Sequence, residues 1–204
     1  MSINLFDMVY YINCDHRVDR RSHIEGVLSS LNLDKKKFKR IPGDYIPSNG
    51  SLGCVNSHIL IMNDIKKNSY ENCIILEDDF IPYDIETFNS KLKEIIKSDL
   101  KWDIIMLSAN LIETIQHKDN LLKVIKAQTS SGYCINIKFV DNLLISFNES
   151  KQKLEQNMTK DEWALDQNWK KIQSKYNWFC TNPLLGKQID GYSDIEQKNI
   201  DYRC

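Results

Sequence analysis

The first half of the chain alternates short apolar runs with amphipathic segments, and this pattern constrains the fold more than any other feature. The runs are rich in β-branched, aromatic and aliphatic residues, as buried strands are. The predicted elements, in order, are a strand MVYYIN (8–13), a helix over about 19–32, a weaker strand KFKRI (37–41), a helix from Gly53 to about Lys67, a strand NCIILE, a helix ETFNSKLKEIIK and a strand WDIIMLS (102–108). This order predicts an α/β fold with a mostly parallel central sheet and helices on both faces.

The second half is less regular. The predicted elements there are the strands LLKVIKA and SSGYCINI, helices near 139–147 and 160–174, and a last strand NWFC. From Asn182 onward the sequence shows no periodicity. We interpret residues 1–204 as one domain.

Composition excludes several classes of protein. Lys and Arg number 27 against 28 Asp and Glu, which gives a net charge of −1 and predicts no binding to nucleic acid through bulk charge. No run of 18 apolar residues exists, so no membrane span is predicted. The N-terminus has no basic region followed by a long apolar one, so we predict no signal peptide and a cytoplasmic location.

The strand NCIILE ends in three consecutive carboxylates, Glu77, Asp78 and Asp79. Ligands of open α/β sheets bind outside the carboxyl ends of the strands, where these side chains are expected. Adjacent carboxylates repel one another unless positive charge offsets them. The offset is either a divalent cation or a basic cluster such as Arg17, Arg20 and Arg21.

Oxygen ligands with no matching Cys/His set suit a hard ion, Mg²⁺ or Mn²⁺. The six cysteines include no CxxC pair, so no zinc knuckle is predicted. The alternative without a ligand is that Asp78 and Asp79 start a turn and cap the helix near residue 84.

The chain resembles glycosyltransferase family 25, which includes lipooligosaccharide glycosyltransferases and procollagen galactosyltransferases. The segments that carry the likeness, in the family's order, are YYINCDHRVDRR, LGCVNSHILI, IILEDDF, SSGYCI and NPLLGKQIDGYSDIE. They span nearly the whole chain. The resemblance implies a GT-A type fold, a nucleotide-sugar donor and transfer with inversion at the anomeric carbon. Within the single domain, the order of the predicted elements assigns nucleotide-sugar binding to about 1–110 and the shaping of the acceptor site to about 111–204.

The metal is predicted to be Mn²⁺ or Mg²⁺, held by Glu77 and Asp79. Residues spaced i and i+2 point to the same side of an extended segment. In that geometry Asp79 ligates the ion directly, and Glu77 touches the ribose or a metal-bound water. The ion stabilises the charge that develops on a nucleoside diphosphate leaving group.

The donor is predicted to be a UDP-sugar. The planar guanidinium groups of Arg17 and Arg20 suit its diphosphate or base edge, and the alternative is that both residues begin a solvated helix. Gly53 would allow close backbone approach to the donor. His58 either contacts the donor, orients a neighbour or is a satisfied core histidine. The predicted donor-binding residues are Asn13, Arg17, Arg20, Gly53, Ser57, His58, Asp78 and Asp194.

Inverting transfer needs a base that takes the proton of the acceptor hydroxyl. We predict Asp166, because Trp163 and Trp169 lie three residues away on its helical face and aromatic faces commonly line sugar sites. The alternative is a helix whose tryptophans pack in the core while Asp166 is exposed. Other candidate bases are Glu149, Asp161, Asp190 and Asp194.

The predicted function is metal-dependent transfer of a hexose, galactose or glucose, from a UDP-sugar to a hydroxyl of a glycan or of a collagen-like protein. One alternative is a member of the fold that binds a nucleotide sugar without transferring it. Another is a Mg²⁺-dependent phosphoryl-transfer enzyme, although the sequence lacks the G-x-x-x-x-G-K-[ST] phosphate loop.

Overall fold

The structure, a computed structural model, describes residues 3–201. The strands are β1 (Met8–Asn13), β2 (Phe38–Pro42), β3 (Asn72–Glu77), β4 (Phe80–Pro82), β5 (Ile104–Met106), β6 (Asn110–Lys118), β7 (Leu121–Gln128), β8 (Gly132–Asn136), β9 (Trp178–Thr181), β10 (Gly186–Gln188), β11 (Gly191–Ser193) and β12 (Lys198–Ile200). The α-helices are α1 (Val18–Ser30), α2 (Gly50–Asn68), α3 (Ile85–Lys97), α4 (Val140–Glu155), α5 (Lys160–Trp163), α6 (Leu165–Asn168) and α7 (Lys170–Gln173). Short 3-10 turns lie at Ile3–Leu5, Lys35–Lys37 and Ile137–Phe139.

Eight strands form the central sheet in the order β2-β1-β3-β8-β5-β9-β7-β6. The neighbours β2, β1 and β3 are parallel, as are β5 and β9, whereas β8 and β7 are antiparallel to the strands beside them. All strands of this sheet except β8 and β7 therefore run in one direction, as the alternating pattern predicts. Strand β8 follows β7 in the chain but lies between β3 and β5, so both halves of the chain contribute to one sheet.

Helices cover both faces of the sheet because its central strands are apolar on both sides. In β3, Cys73 and Ile75 pack in a core with α2 and α4, and Ile74 and Leu76 pack in a second core with α1 and α3. Such two-sided burial is typical of mostly parallel sheets. Within the described residues, no helix is long and apolar enough to cross a membrane.

Side-chain caps fix where the two helices near the acidic strand end begin. Helix α2 starts after Asn49, whose side chain accepts a hydrogen bond from the Leu52 amide, and so begins three residues before the predicted start. Helix α3 starts after Asp84, whose carboxylate accepts from the Thr87 amide. Because Asp84 caps α3, capping does not explain the carboxylates at 78 and 79.

Two predictions about the second half need correction. The helix predicted near 160–174 is three one-turn helices, interrupted at Ala164, whose backbone is extended, and again at Trp169. Strand β6 was not predicted; it is an edge strand whose residues are nearly all exposed. The three-residue strands β10, β11 and β12 also form in the part after Asn182 where no periodicity was found, because pairing defines them: β10 pairs with the unpredicted strand β4, and β11 pairs with β12.

Candidate active site

The three carboxylates lie at the end of β3, at the carboxyl edge of the sheet, and Arg20 offsets part of their charge. Its Nη1 donates to Asp78 Oδ1 at 3.1 Å and to Asp79 Oδ2 at 2.8 Å. Asn13, at the end of β1, donates from Nδ2 to Asp78 Oδ2 at 2.7 Å. The basic-cluster alternative is thus realised for Arg20, whereas Arg21 pairs with Glu25 of α1.

Asp79 carries the least compensated charge of the three. Burial, together with the neighbouring Glu77 and Asp78 carboxylates, raises its pKa to about 7, although the Arg20 guanidinium opposes the shift. Its Oδ2 also receives a hydrogen bond of 3.4 Å from Gln188. Its Oδ1 is buried and has no hydrogen-bond partner among the described residues.

Arg17 and Arg20 are held by the C-terminal hairpin that β11 and β12 form. Arg17 Nη1 donates to Asp194 Oδ2 at 2.8 Å and to the Tyr192 carbonyl at 3.1 Å, while its Nε and Nη2 bind Asp19. Arg20 Nη2 donates to the same Tyr192 carbonyl at 2.9 Å. The sequence reasoning placed Arg17, Arg20 and Asp194 at one site but missed that they share contacts with the hairpin.

Gly53 and Ser57, on α2, hold the loop of residues 43–46 against the helix. A Cβ on Gly53 would lie 1.9 Å from the Asp44 carbonyl oxygen. Ser57 Oγ accepts from the Asp44 amide at 2.9 Å and donates to the Gly53 carbonyl at 2.8 Å. Both residues line the cavity described below. The close backbone approach that requires glycine at 53 in this structure is that of the loop, and the predicted approach of a donor stays a prediction.

His58 lies beneath the strand end and has no exposed surface. Its Nδ1 is 2.8 Å from the Tyr133 hydroxyl, and its Nε2 is 3.5 Å from Glu77 Oε1. The structure therefore places His58 beside Glu77 rather than in a cavity wall, and the predicted contact with a donor stays a prediction. Ser130 Oγ donates to the same Glu77 oxygen at 2.5 Å. Burial of Glu77 acts to raise its pKa, but the contacts with His58 and Ser130 outweigh it and the pKa is lowered.

The absence of a matching Cys/His set is also corrected. Cys54 lies one helical turn before His58 on α2, and ligand atoms of Cys54, His58 and Glu77 lie within 4.8 Å of one another. The C-x-x-x-H spacing was visible in the sequence, but the position of Glu77 beside it was not.

Asp166 is on α6, and its Oδ2 accepts a hydrogen bond of 2.9 Å from the Thr129 amide. Burial raises the pKa of Asp166, and the Glu77 carboxylate adds to the shift, although the Thr129 amide opposes it. The flanking tryptophans do not face this site. Trp163 and Trp169 are buried in the core, where Trp169 packs against Trp178 with 5.1 Å between ring centroids. The aromatic-lining hypothesis is wrong, since the breaks between the short helices turn both rings away.

Two adjoining cavities lie over these residues. The first, of about 140 Å³, is called the Arg17 cavity, and its walls include Asn13, Arg17, Arg20, Gly53, Ser57, Glu77, Asp78, Asp79 and Asp194. The second, of about 350 Å³, is called the Asp166 cavity, and its walls include Ser130, Lys160, Asp161 and Asp166. Walls common to both are Cys54, Glu77, Gln188, Ser193 and Ile195. All predicted site residues except His58 therefore line one cavity or the other.

A family model matches residues 46–164, more than half of the chain, and its description is glycosyltransferase family 25 (LPS biosynthesis protein). The chain belongs to glycosyltransferase family 25. The matched segment contains Gly53, Ser57 and the carboxylates at 77–79, whereas Arg17, Asp166 and Asp194 lie outside it.

Among curated relatives, procollagen galactosyltransferase 1-B of Xenopus laevis is 26% identical over 171 residues. The alignment covers 68% of this chain and 28% of the relative, so the family 25 chain spans less than a third of that protein.

Solved structures confirm the GT-A type α/β fold. A glycosyltransferase involved in the glycosylation of the major capsid of PBCV-1 superimposes with a TM-score of 0.56 at 10% identity, covering 93% of this chain and 95% of that chain. The mannose-1-phosphate geranyltransferase from Thermus thermophilus superimposes with a TM-score of 0.51 at 7% identity, covering 85% and 72% respectively. At such identities the likeness concerns the fold alone.

The carboxyl edge of β3 fits the hard cation that the acidic motif predicts. Asp79 Oδ1 is a buried oxygen without a hydrogen-bond partner in the described part of the chain, and it belongs to a residue of the Arg17 cavity wall. A cation there would satisfy this oxygen and offset the charge that raises the Asp79 pKa. Oxygen ligands from Glu77 and Asp79 suit Mn²⁺ or Mg²⁺.

The other candidate bases lie in different surroundings. Asp161 lines the Asp166 cavity, and Glu149 accepts a hydrogen bond from Asn168. Asp194 is bound by Arg17 and His16, so its oxygens already have cationic or imidazole partners. Asp166 stays the predicted base, and what the structure offers for it is a place in a cavity wall that it shares with Asp161, rather than neighbouring aromatic rings.

Proposed function

We propose that this family 25 chain transfers a hexose from a UDP-sugar to a hydroxyl acceptor, with inversion at the anomeric carbon and with a divalent cation at Glu77 and Asp79. One observation carries the proposal: Glu77 lies in the wall between a cavity with two guanidinium groups and a cavity that contains a partly buried carboxylate, Asp166. An inverting transferase needs such a pair of adjoining sites, one for the diphosphate and one for the acceptor and its base.

On the donor side, Arg17 and Arg20 supply positive charge beside the carboxylates. Arg20 already neutralises part of the charge on Asp78 and Asp79, and the hairpin residue Asp194 fixes the Arg17 guanidinium at the cavity wall. A diphosphate would accept charge-assisted hydrogen bonds from such guanidinium groups. Asn13 holds Asp78 in place and acts on the donor indirectly.

When bound, the divalent cation would supply Lewis-acid stabilisation of the charge on the leaving diphosphate. Glu77 and Asp79 would hold it, the first oriented by Ser130 and the second through its unpaired oxygen. On the acceptor side, Asp166 would take the proton of the attacking hydroxyl. Its raised pKa suits this role, because a base works best when its pKa lies closer to the working pH.

The acceptor class rests on the relatives. The curated relative is named a procollagen galactosyltransferase, which supports galactose as the hexose and a hydroxyl of a collagen-like protein as the acceptor. Glucose and a glycan hydroxyl are the other donor and acceptor that we include in the proposal, since the family description names LPS biosynthesis.

The test is to incubate the chain with a panel of UDP-sugars, Mn²⁺ and candidate acceptors, and to measure the UDP that is released. Asp79→Asn keeps the side-chain volume but removes the charge, so we expect it to abolish Mn²⁺ binding and nearly all transfer while the fold is kept. Asp141→Asn is the matched control, because Asp141 is exposed on α4 and pairs only with Lys66 among the described residues.

Three outcomes would contradict parts of the proposal. Sugar transfer that persists in EDTA would show that the reaction needs no divalent cation. Wild-type turnover by Asp79→Asn would show that Asp79 does not hold it. Tight UDP-sugar binding without turnover on any acceptor of the panel would favour the non-catalytic alternative.

A further inference from the structure

A second set of ligand atoms lies at the base of the two cavities, and it differs in kind from the carboxylate pair. Cys54 and His58 occupy positions i and i+4 of α2, so their side chains point the same way, toward the end of β3. Cys54 Sγ, a ring nitrogen of His58 and a carboxylate oxygen of Glu77 lie within 4.8 Å of one another. The set therefore offers sulfur, nitrogen and oxygen to one point.

The surroundings of His58 indicate that a metal ion would fit between these three side chains. Its ring has no exposed surface, and its Nε2 has no hydrogen-bond partner within the described residues. A buried polar nitrogen without a partner costs free energy. Its Nδ1 is bound to the Tyr133 hydroxyl at 2.8 Å, which directs Nε2 toward Glu77 Oε1, 3.5 Å away.

We infer that Cys54, His58 and Glu77 bind a Zn²⁺-type cation, with a fourth position open to the cavities. The ligand set favours this class of ion, since thiolate and imidazole bind Zn²⁺ better than Mn²⁺ or Mg²⁺. In a tetrahedral zinc site with metal–ligand distances of about 2.0–2.3 Å, neighbouring ligand atoms lie about 3.3–3.7 Å apart. The distance of 3.5 Å between His58 Nε2 and Glu77 Oε1 is within that range.

Contacts around the ligands resemble those of metal centres. In metal centres the second ring nitrogen of a ligating histidine is commonly hydrogen-bonded, and here His58 Nδ1 is bound to the Tyr133 hydroxyl. Ligating carboxylates are also hydrogen-bonded, and here Glu77 accepts from Ser130. Cys54 is partly exposed and lines both cavities, which gives the ion a path from solvent. The ligand is the thiolate, so the Cys54 proton is released to solvent when the ion binds.

The inferred site shares Glu77 with the proposed Mn²⁺ site but differs in its other ligands. It needs Cys54 and His58 and does not need Asp79. Substitutions at these positions therefore separate the two sites, and binding can be measured without any assay of transfer.

The experiment is a titration of the full chain with Co²⁺, a spectroscopic substitute for Zn²⁺, in a phosphine reductant that leaves thiols free. We expect one equivalent of Co²⁺ to give a thiolate-to-cobalt charge-transfer band, which one equivalent of Zn²⁺ then removes. Cys54→Ser should lose the band. Cys14→Ser is the matched control, because Cys14 lines the Arg17 cavity outside the ligand set, and it should keep the band.

Two further variants define the site. Tyr133→Phe removes the hydrogen bond that orients His58, and we expect it to weaken Zn²⁺ binding by about 10–100-fold. Asp79→Asn should leave the band intact. A wild-type chain without the band, or loss of the band in both Cys14→Ser and Cys54→Ser, would overturn the inference. Loss in Asp79→Asn would assign the ion to the carboxylate pair and would also overturn it.

Discussion

Gly53→Ala tests whether the position of the loop of residues 43–46 requires that residue 53 have no side chain. The new Cβ would lie 1.9 Å from the Asp44 carbonyl oxygen, whereas an ordinary contact begins at 3.4 Å. The loop must therefore move by roughly the difference between these distances. That shift strains two hydrogen bonds of Asp44, from its amide to Ser57 Oγ at 2.9 Å and from Asn56 Nδ2 to its carboxylate at 2.8 Å.

The expected cost follows from these contacts. Overpacking costs about 1–3 kcal/mol, and two weakened hydrogen bonds cost about 1–3 kcal/mol together. Alanine has the higher helix propensity and returns about 1 kcal/mol. We therefore expect Gly53→Ala to lower the free energy of unfolding by about 3 kcal/mol, within a range of about 1–5 kcal/mol.

Gly26→Ala is the matched control. Gly26 lies inside α1, is exposed, and has no atom within 4 Å of its would-be Cβ. The same substitution there should raise the free energy of unfolding by about 0.5–1 kcal/mol. Urea unfolding followed by tryptophan fluorescence and circular dichroism measures both variants. Equal stability changes at the two positions would refute the proposed close approach of Asp44.

The remaining predictions concern the two cavities. Asp166→Asn should leave UDP-sugar affinity near that of the wild type and lower kcat by about 10²- to 10⁴-fold, since it removes only the base; an unchanged kcat with weaker donor binding would place Asp166 in the donor site. Arg17→Ala should weaken UDP binding by about 1–3 kcal/mol, measured by calorimetry. Asp194→Asn should weaken UDP binding less than Arg17→Ala does, because it loosens the Arg17 guanidinium but does not remove it.

The first half of the fold could be predicted because its signals are local. Strand β1 has the predicted bounds, and the apolar positions of α3 (Phe88, Leu92 and Ile95) are buried as its periodicity requires. Strand β6 gives no such signal, because an edge strand exposed on both faces needs neither alternation nor an apolar run. Its pairing with β7 defines it.

The site shows the same division between local and distant information. The carboxylates at 77–79 and the helix position of Cys54 and His58 can be read from short segments. The pairing of Arg17 with Asp194 joins residues 177 positions apart, and the hydrogen bond between Ser130 and Glu77 joins residues 53 apart. Contacts between residues so far apart leave no periodic pattern in the sequence. Trp163 and Trp169 were misplaced for a related reason, since the extended backbone at Ala164 breaks the helix on which their common face depended.

Glu77 and Asp79 lie two residues apart, yet their surroundings shift their pKa values in opposite directions. Although burial opposes it, contact with His58 and Ser130 lowers the pKa of Glu77, and the Ser130 hydrogen bond holds this carboxylate in place. Asp79 shares one guanidinium with Asp78 and faces two other carboxylates, and burial together with these neighbours raises its pKa to about 7. A bound cation would therefore lower the pKa of Asp79 far more than that of Glu77. For this reason we expect Asp79 to govern affinity for Mn²⁺, and Glu77 to connect the donor side of the site with the thiol and imidazole beneath it.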